Sequence, residues 1–345
     1  MTHATKTSRS RNTSITVIST LGELISRFEG YNQSMGLAVA TRKGYKWALK
    51  VFTDWAGLDT ALTEIDECLI DEYREYLILR GDLSRQSIRT YLRSLKVLLR
   101  FAEKKHHLAE CPLVELPGVG SQVPKASLSQ TELAELLEAT EGEQMELLRK
   151  RARAIVVTLY GTGMRVSELC QARYSMIETL EVDGEVAHVL LIESAKRGGE
   201  RPIILSGSVW SAIKSYRDAL LLLPNNAKAV EDLDTLFATR SGQALQVEGV
   251  QRLISRLVVR CNEQRRSLAG GNEIELLAAS PHSFRRSFAV EWLNQSEGRE
   301  LDVLQEVGGW SDIETVKRHY ARYKLETLIR ASRRNAPKVG KGDII

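Results

Sequence analysis

Six side chains from residue 165 onward have types suited to one reaction: Arg165, Lys196, His282, Arg285, Trp310 and Tyr320. Two guanidinium groups can grip the nonbridging oxygens of a phosphodiester and neutralise the charge that grows in its pentavalent transition state. A tyrosine hydroxyl near that phosphorus can attack it and form a covalent phosphotyrosine. The departing sugar hydroxyl needs a proton, which a lysine can donate. The indole N–H of Trp310 only donates, and suits a phosphate oxygen. These steps require no metal or other cofactor, and the six histidines are not read as a metal site. Each residue alone has a plainer reading. Tyr320 could be a half-buried helix aromatic, Trp310 a packing aromatic, and Lys196 one of three cations around a single turn, with Arg197 and Arg201.

The elements that must hold these groups follow from local patterns. Gly308-Gly309 permits a sharp turn. Ser311, with Glu314 three positions on, reads as a capping box opening a helix. Trp310 then stands at the mouth of that helix and Tyr320 about two and a half turns into it. Tyr323, about 300° further round and so nearly a full turn on, competes as the nucleophile. Ser280-Pro281 opens another helix, with His282 and Arg285 at i and i+3 on one face. Gly161-Thr162-Gly163 closes a helix over 143–160, and a short one over 165–173 begins at Arg165. Lys196 falls in the second turn of a meander with strands over 176–182, 186–193 and 201–205, whose first turn is Asp183-Gly184. Further helices are expected over 129–139, 208–223, 246–267 and 301–307.

The first part of the chain reads as four helices, over 21–31, 39–55, 65–80 and 85–106. On the second, Tyr45, Ala48, Leu49, Phe52 and Trp55 line one face, and Arg42, Lys43, Lys46 and Lys50 another with no acid among them. On the fourth, Arg85, Arg89, Arg93, Lys96 and Arg100 recur at steps of four, four, three and four beside an apolar stripe from Ile88 to Ala102. Like charges at this spacing repel, and a polyanion opposite them removes that cost. A solvated face is the plain alternative. Phosphate contacts of this kind position a protein on DNA without reading its sequence.

Composition sets the outer bounds. Length 345, 43% hydrophobic and 27% charged residues fit two globular domains. A net charge of +4 is mild, so only the placement of charge can argue for nucleic acid. Cys68, Cys111, Cys170 and Cys261 lie far apart, which fits reduced thiols rather than a disulfide framework. No apolar run is long enough to span a membrane. Prolines 112, 117 and 124 with Gly118 and Gly120 mark a linker.

Four stretches in order carry a family resemblance: Gly161-Thr-Gly-Met-Arg165-Val-Ser-Glu168-Leu, Ala195-Lys196-Arg-Gly-Gly-Glu-Arg201, Pro281-His282-Ser-Phe-Arg285-Arg286, and Gly309-Trp310-Ser311 followed by Tyr320. The chain resembles the tyrosine site-specific recombinases of the phage-integrase class, in general character the Xer-type and mobile-element integrases. The resemblance covers nearly the whole chain. It implies that Arg165 and Arg285 clamp the scissile phosphate and that Lys196 is the general acid. His282 would assist proton transfer, Trp310 would contact the phosphate, and Tyr320 would be the nucleophile. Glu168 matches an acidic position that supports the histidine-bearing part of the site. Arg286 stands where the family often has histidine and would add a cation near the phosphate. Trp310 likewise replaces a histidine, and Tyr320 lies one residue further from its box than is usual.

The fold expected is mainly α with a small three-stranded antiparallel sheet, arranged by that resemblance as a two-domain C-shaped DNA clamp. Its parts are a disordered basic tail (1–16), a helical core-binding domain (17–110), a linker (111–125), a catalytic domain (126–334) and a flexible tail (335–345). The expected partner is double-stranded DNA, bound by a homotetramer on two sites, with a partner recombinase or DNA-bending protein as further candidates and no membrane. The integration or excision of a mobile element, or the resolution of DNA multimers, would be its task, in the cytoplasm on the nucleoid. Leu325, Leu328 and Ile329 could dock on a neighbouring subunit. A non-catalytic DNA-binding protein and a type IB topoisomerase-like enzyme are the alternatives.

Overall fold

The computed structural model describes residues 18–113, 115–118, 127–194, 199–222, 234–239, 241–296, 299–320 and 329. The chain divides into two compact units, Met1–Val123 and Pro124–Ile345. Among the described residues no helix is long and apolar enough to cross a membrane.

The first unit holds α1 (Leu21–Ser34), α2 (Val39–Ala56), α3 (Glu67–Leu79) and α4 (Arg85–Lys104). Each start has a physical cause. Thr20 and Glu23 form a capping box on α1, Asp66 accepts from the Leu69 N–H on α3, and Ser84 accepts from the Ser87 N–H on α4. The α4 stripe Ile88, Tyr91, Leu92, Leu95, Leu98 and Leu99 is buried against Phe28, Phe52 and Tyr73 from the other three helices. Each such leucine contributes about 1.5–3 kcal/mol by leaving water. Helix α4 stops at Lys104, short of the expected His106, because His106 adopts a left-handed φ of 58° that reverses the chain.

The second unit begins with α5 (Gln130–Ala139), opened by a Ser129–Glu132 capping box, then α6 (Glu146–Thr162) and α7 (Val166–Gln171). Three antiparallel strands follow in order: β1 (Ile177–Val182), β2 (Glu185–Ser194) and β3 (Gly199–Leu205). Asp183 and Gly184 both take positive φ, 53° and 81°, as a two-residue hairpin turn requires, and set Val182 opposite Glu185. The remaining helices are α8 (Gly207–Leu221), α9 (Val247–Ala269), α10 (Pro281–Gln295), α11 (Leu301–Gly308) and α12 (Ile313–Tyr320).

Two apolar clusters matter for the site. The larger joins Ile155 and Leu159 of α6 to Ile213 of α8, Ile203 of β3, Leu257 of α9 and Phe284 of α10. The smaller joins Ala289 and Leu293 of α10 to Leu304 of α11, Trp310 and Val316 of α12. Phe284 and Ala289 share one helix, so α10 ties the two clusters together.

The opening of α12 differs from expectation. Asp312, not Ser311, accepts from the Thr315 N–H at 2.7 Å and from the Thr315 hydroxyl at 2.8 Å. A carboxylate outcompetes a hydroxyl at the positive end of a helix. Glu314 pairs instead with Lys317 at 3.0 Å.

Candidate active site

Arg165 is placed by the break between α6 and α7. Gly163 ends α6 in a left-handed conformation, φ 60°, and a Cβ there would lie 2.4 Å from the Phe288 ring. Only glycine lets α6 turn this close to α10. Met164 is buried, and Arg165 caps α7 with its side chain 42% exposed.

Arg285 occupies the second turn of α10, which Ser280 caps and Pro281 begins. It is only 3% exposed. One guanidinium nitrogen donates to the Gly163 carbonyl and another to the Gly308 carbonyl, each at 2.7 Å. Its planar face lies 4.0 Å from the Trp310 ring, within the range of a cation–π contact.

Glu168 holds the two cations beside it. Its carboxylate accepts from the Arg165 N–H at 2.6 Å, the Arg165 side chain at 2.8 Å and the Arg201 side chain at 2.7 Å. Burial alone pushes its carboxyl up. The Arg165 backbone N–H, the Arg201 charge and the Arg165 side chain outweigh that, and hold it below the usual glutamate value.

Arg201 is the residue that sequence reasoning left aside as a possible rival to Lys196. It is 5% exposed and committed to Glu168 and to the Val307 carbonyl, so it is not a free proton donor. A signal was available: Arg201, Ile203 and Leu205 alternate as the inward positions of β3, and an inward arginine needs a partner.

All three arginines meet at the end of α11. Gly309, left-handed at φ 66°, closes that helix: its N–H bonds to the Glu306 carbonyl, and the Trp310 N–H to the Gln305 carbonyl. The next three carbonyls are taken in succession. Val307 accepts from Arg201, Gly308 from Arg285 at 2.7 Å, and Gly309 from Arg165 at 2.8 Å. Strand β3, helix α10 and the cap of α7 thus converge on the turn that leads into α12. A guanidinium has five N–H donors, so Arg165, the exposed member, retains donors beyond those used for Glu168 and Gly309.

The other expected site residues divide. His282 is exposed on the first turn of α10, and Arg286 is half-buried one residue past Arg285. Trp310 is 4% exposed and packed within the smaller apolar cluster, as a platform beneath Arg285. Tyr320 is the last residue of α12, while its side chain lies outside the described residues. Lys196, Tyr323, Leu325 and Leu328 also lie outside them, and Ile329 is 40% exposed. Among the described residues no three His, Cys, Asp or Glu side chains form a group that could hold a metal ion.

The cationic stripes of the first unit are less uniform than their spacing implies. On α2, Arg42 donates to the Leu37 carbonyl, Lys46 lies 3.5 Å from Glu29 of α1, and Lys50 pairs with Asp54 at 2.7 Å. On α4, Arg89 reaches the Pro117 carbonyl at 2.6 Å. Lys43, Arg85, Arg93 and Arg100 are exposed, and Lys96 is half-buried. The exposed lysine pairs are worth at most about 1 kcal/mol each and exchange readily for a phosphate.

Comparisons with known proteins agree with this architecture. Residues 126–326 match the phage integrase family, and residues 23–115 match the phage integrase SAM-like domain. The tyrosine recombinase XerC of Bacillus subtilis is 31% identical over 241 residues, which cover 68% of this chain and 70% of the relative. Among solved structures, the Tn1549 transposon integrase in complex with a circular intermediate DNA superposes with a TM-score of 0.66 at 19% identity, covering 92% of this chain and 99% of that one. A lambda integrase tetramer bound to a Holliday junction gives 0.62 at 22% identity, covering 90% and 80%. At these identities the two structures show a shared fold. The family match spans more than half of the 345 residues, and with the XerC relative it leads to one conclusion: the chain belongs to the phage integrase family, as a tyrosine site-specific recombinase.

Proposed function

We propose that this protein cuts and rejoins duplex DNA at a specific site by two successive transesterifications. The Tyr320 hydroxyl attacks a backbone phosphorus, the 5′ sugar oxygen departs, and a 3′-phosphotyrosine forms. Lys196 gives the departing oxygen its proton, and His282 assists proton transfer at the nucleophile. Arg165 and Arg285 stabilise the charge that builds on the nonbridging oxygens, and Arg286 adds positive potential beside them. A 5′ hydroxyl from a second strand then attacks the phosphotyrosine and restores the diester. The bond energy is kept in the covalent intermediate, so no nucleotide cofactor enters the balance.

The observation that supports this reading best is the meeting of Arg165 and Arg285 on adjacent carbonyls, Gly309 and Gly308, of the turn leading into the Tyr320 helix. Cations from two distant elements thus stand at the root of the element that bears the nucleophile. Double-stranded DNA as substrate draws support from the exposed cations of α2 and α4 and from the DNA in the transposon and lambda integrase structures. The lambda integrase tetramer on a Holliday junction supports a homotetramer acting on two sites. Such an enzyme works in the cytoplasm on the nucleoid, integrating or excising a mobile element or resolving DNA multimers.

Covalent trapping tests the reading. Full-length protein is mixed with duplex DNA from its own genetic neighbourhood, nicked so that the cleaved end diffuses away, and quenched with SDS. A protein–DNA adduct is expected in wild type and in Tyr323→Phe, and not in Tyr320→Phe. Loss only in Tyr323→Phe would move the nucleophile. Tight binding without an adduct in any sample would leave a DNA-binding protein.

A further inference from the structure

We infer that Arg201 is a positioning residue for strand cleavage, acting on Arg165 through Glu168 and on both arginines through the turn at 307–309. The inference rests on the functional reading above.

The geometry is specific. One Arg201 nitrogen lies 2.7 Å from Glu168, whose carboxylate also holds the Arg165 side chain at 2.8 Å and the Arg165 N–H at 2.6 Å. A second Arg201 nitrogen donates to the Val307 carbonyl. The same side chain runs beneath the following backbone: a Cβ at Gly309 would stand 2.6 Å from Arg201 Nε. One guanidinium therefore holds the Glu168 carboxylate that Arg165 uses, and anchors Val307 and packs against Gly309 in the turn whose Gly309 carbonyl Arg165 also uses. The neighbouring carbonyl, Gly308, is the one that Arg285 uses.

Fold stability alone explains this arrangement poorly. Arg201 shares the inward face of β3 with Ile203 and Leu205. A buried ion pair at such a position is often no better for stability than well-packed apolar residues. What the apolar alternative cannot do is hold a carboxylate and a backbone carbonyl at fixed distances on either side of Arg165. A planar fork does so, whereas a lysine, with one nitrogen, satisfies one partner at a time.

The test compares wild type, Arg201→Lys, Arg201→Gln, Arg165→Lys and the double variant Arg201→Lys/Arg165→Lys as full-length proteins. The probe is the nicked duplex of the trapping assay, in saturating protein. Arg201→Lys is expected to melt cooperatively and to bind the duplex within about twofold of wild type, while adduct formation slows about 10–100-fold. In the Arg165→Lys background the same change is expected to cost less than about threefold, because residues acting through one another are non-additive. A duplex with sulfur in place of the departing 5′ oxygen needs no general acid, and is expected not to rescue the rate.

Additive losses, or rescue by the sulfur substrate, would overturn the inference. So would Arg201→Lys cleavage at the wild-type rate while wild type traps DNA. Arg201→Gln keeps a donor toward Val307 and covers the case in which the lysine variant fails to fold. Loss of cooperative melting in both would assign Arg201 to the fold alone and overturn the inference. A wild type that never traps DNA would overturn the functional reading and this inference together.

Discussion

Trp310 offers two groups at one family position, an N–H donor and a ring face. Its N–H suited a phosphate oxygen on paper. In the structure the ring is 4% exposed, packed with Leu293, Leu304 and Val316, and lies 4.0 Å from the Arg285 guanidinium. The face of the ring supports a cation that stays charged while nearly buried. Phenylalanine keeps the face and loses the N–H, whereas alanine loses both. Trp310→Phe is expected to form the covalent adduct within about tenfold of the wild-type rate, since a cation–π contact is worth about 0.5–2 kcal/mol. Trp310→Ala is expected to lose about 3–5 kcal/mol of stability through the cavity it leaves. Adduct formation and thermal melting of both variants check this. A Trp310→Phe protein that melts normally and does not cleave would return the N–H to the chemistry.

The elements were far more legible than their contacts. Apolar recurrence along α4, the Asp183-Gly184 turn and the Ser280-Pro281 start are local patterns, and local physics decides them. The pairs that build the site are not local. Arg201 and Glu168 are 33 residues apart, and Arg165 and Gly309 are 144 apart, so no window of sequence contains them. The same limit hid the Glu29 partner of Lys46 and the hold of Pro117 on Arg89, which made two charge stripes look emptier of partners than they are. Where α6 meets α10, however, the sequence marks a long-range contact by a glycine. Gly163→Ala would force a left-handed alanine, costing about 1–2 kcal/mol, and overlap with Phe288 adds about 1–3 kcal/mol. Melting is expected to fall by about 5–15 °C. Adduct formation is expected to fall with it, since the Gly163 carbonyl anchors Arg285. Gly36→Ala is the control: φ is 69°, but nothing stands within 4 Å, so only the backbone strain is added.

The chain as a whole is two units, Met1–Val123 and Pro124–Ile345, each with apolar clusters of its own. The first is held by an interlocked set of leucines and aromatics, with Leu98 fully buried at its centre. The second holds Arg165, Arg201 and Arg285, whose geometry depends on α6, α10 and β3. A separate core for each unit means that damage to one should leave the other's cooperative unfolding intact. Leu98→Ala is expected to cost about 2–5 kcal/mol. For a unit of this size that lowers its transition by roughly 10–20 °C. Calorimetry of the full-length protein should then resolve the transition of the first unit moving down while that of the second stays in place. Binding to the nicked duplex should weaken at temperatures between the two transitions, because the cations of α2 and α4 lose their scaffold. A single transition that moves as a whole would show that the two cores unfold as one. The cores would then be coupled, and a change in the helical unit would reach the arginine cluster directly.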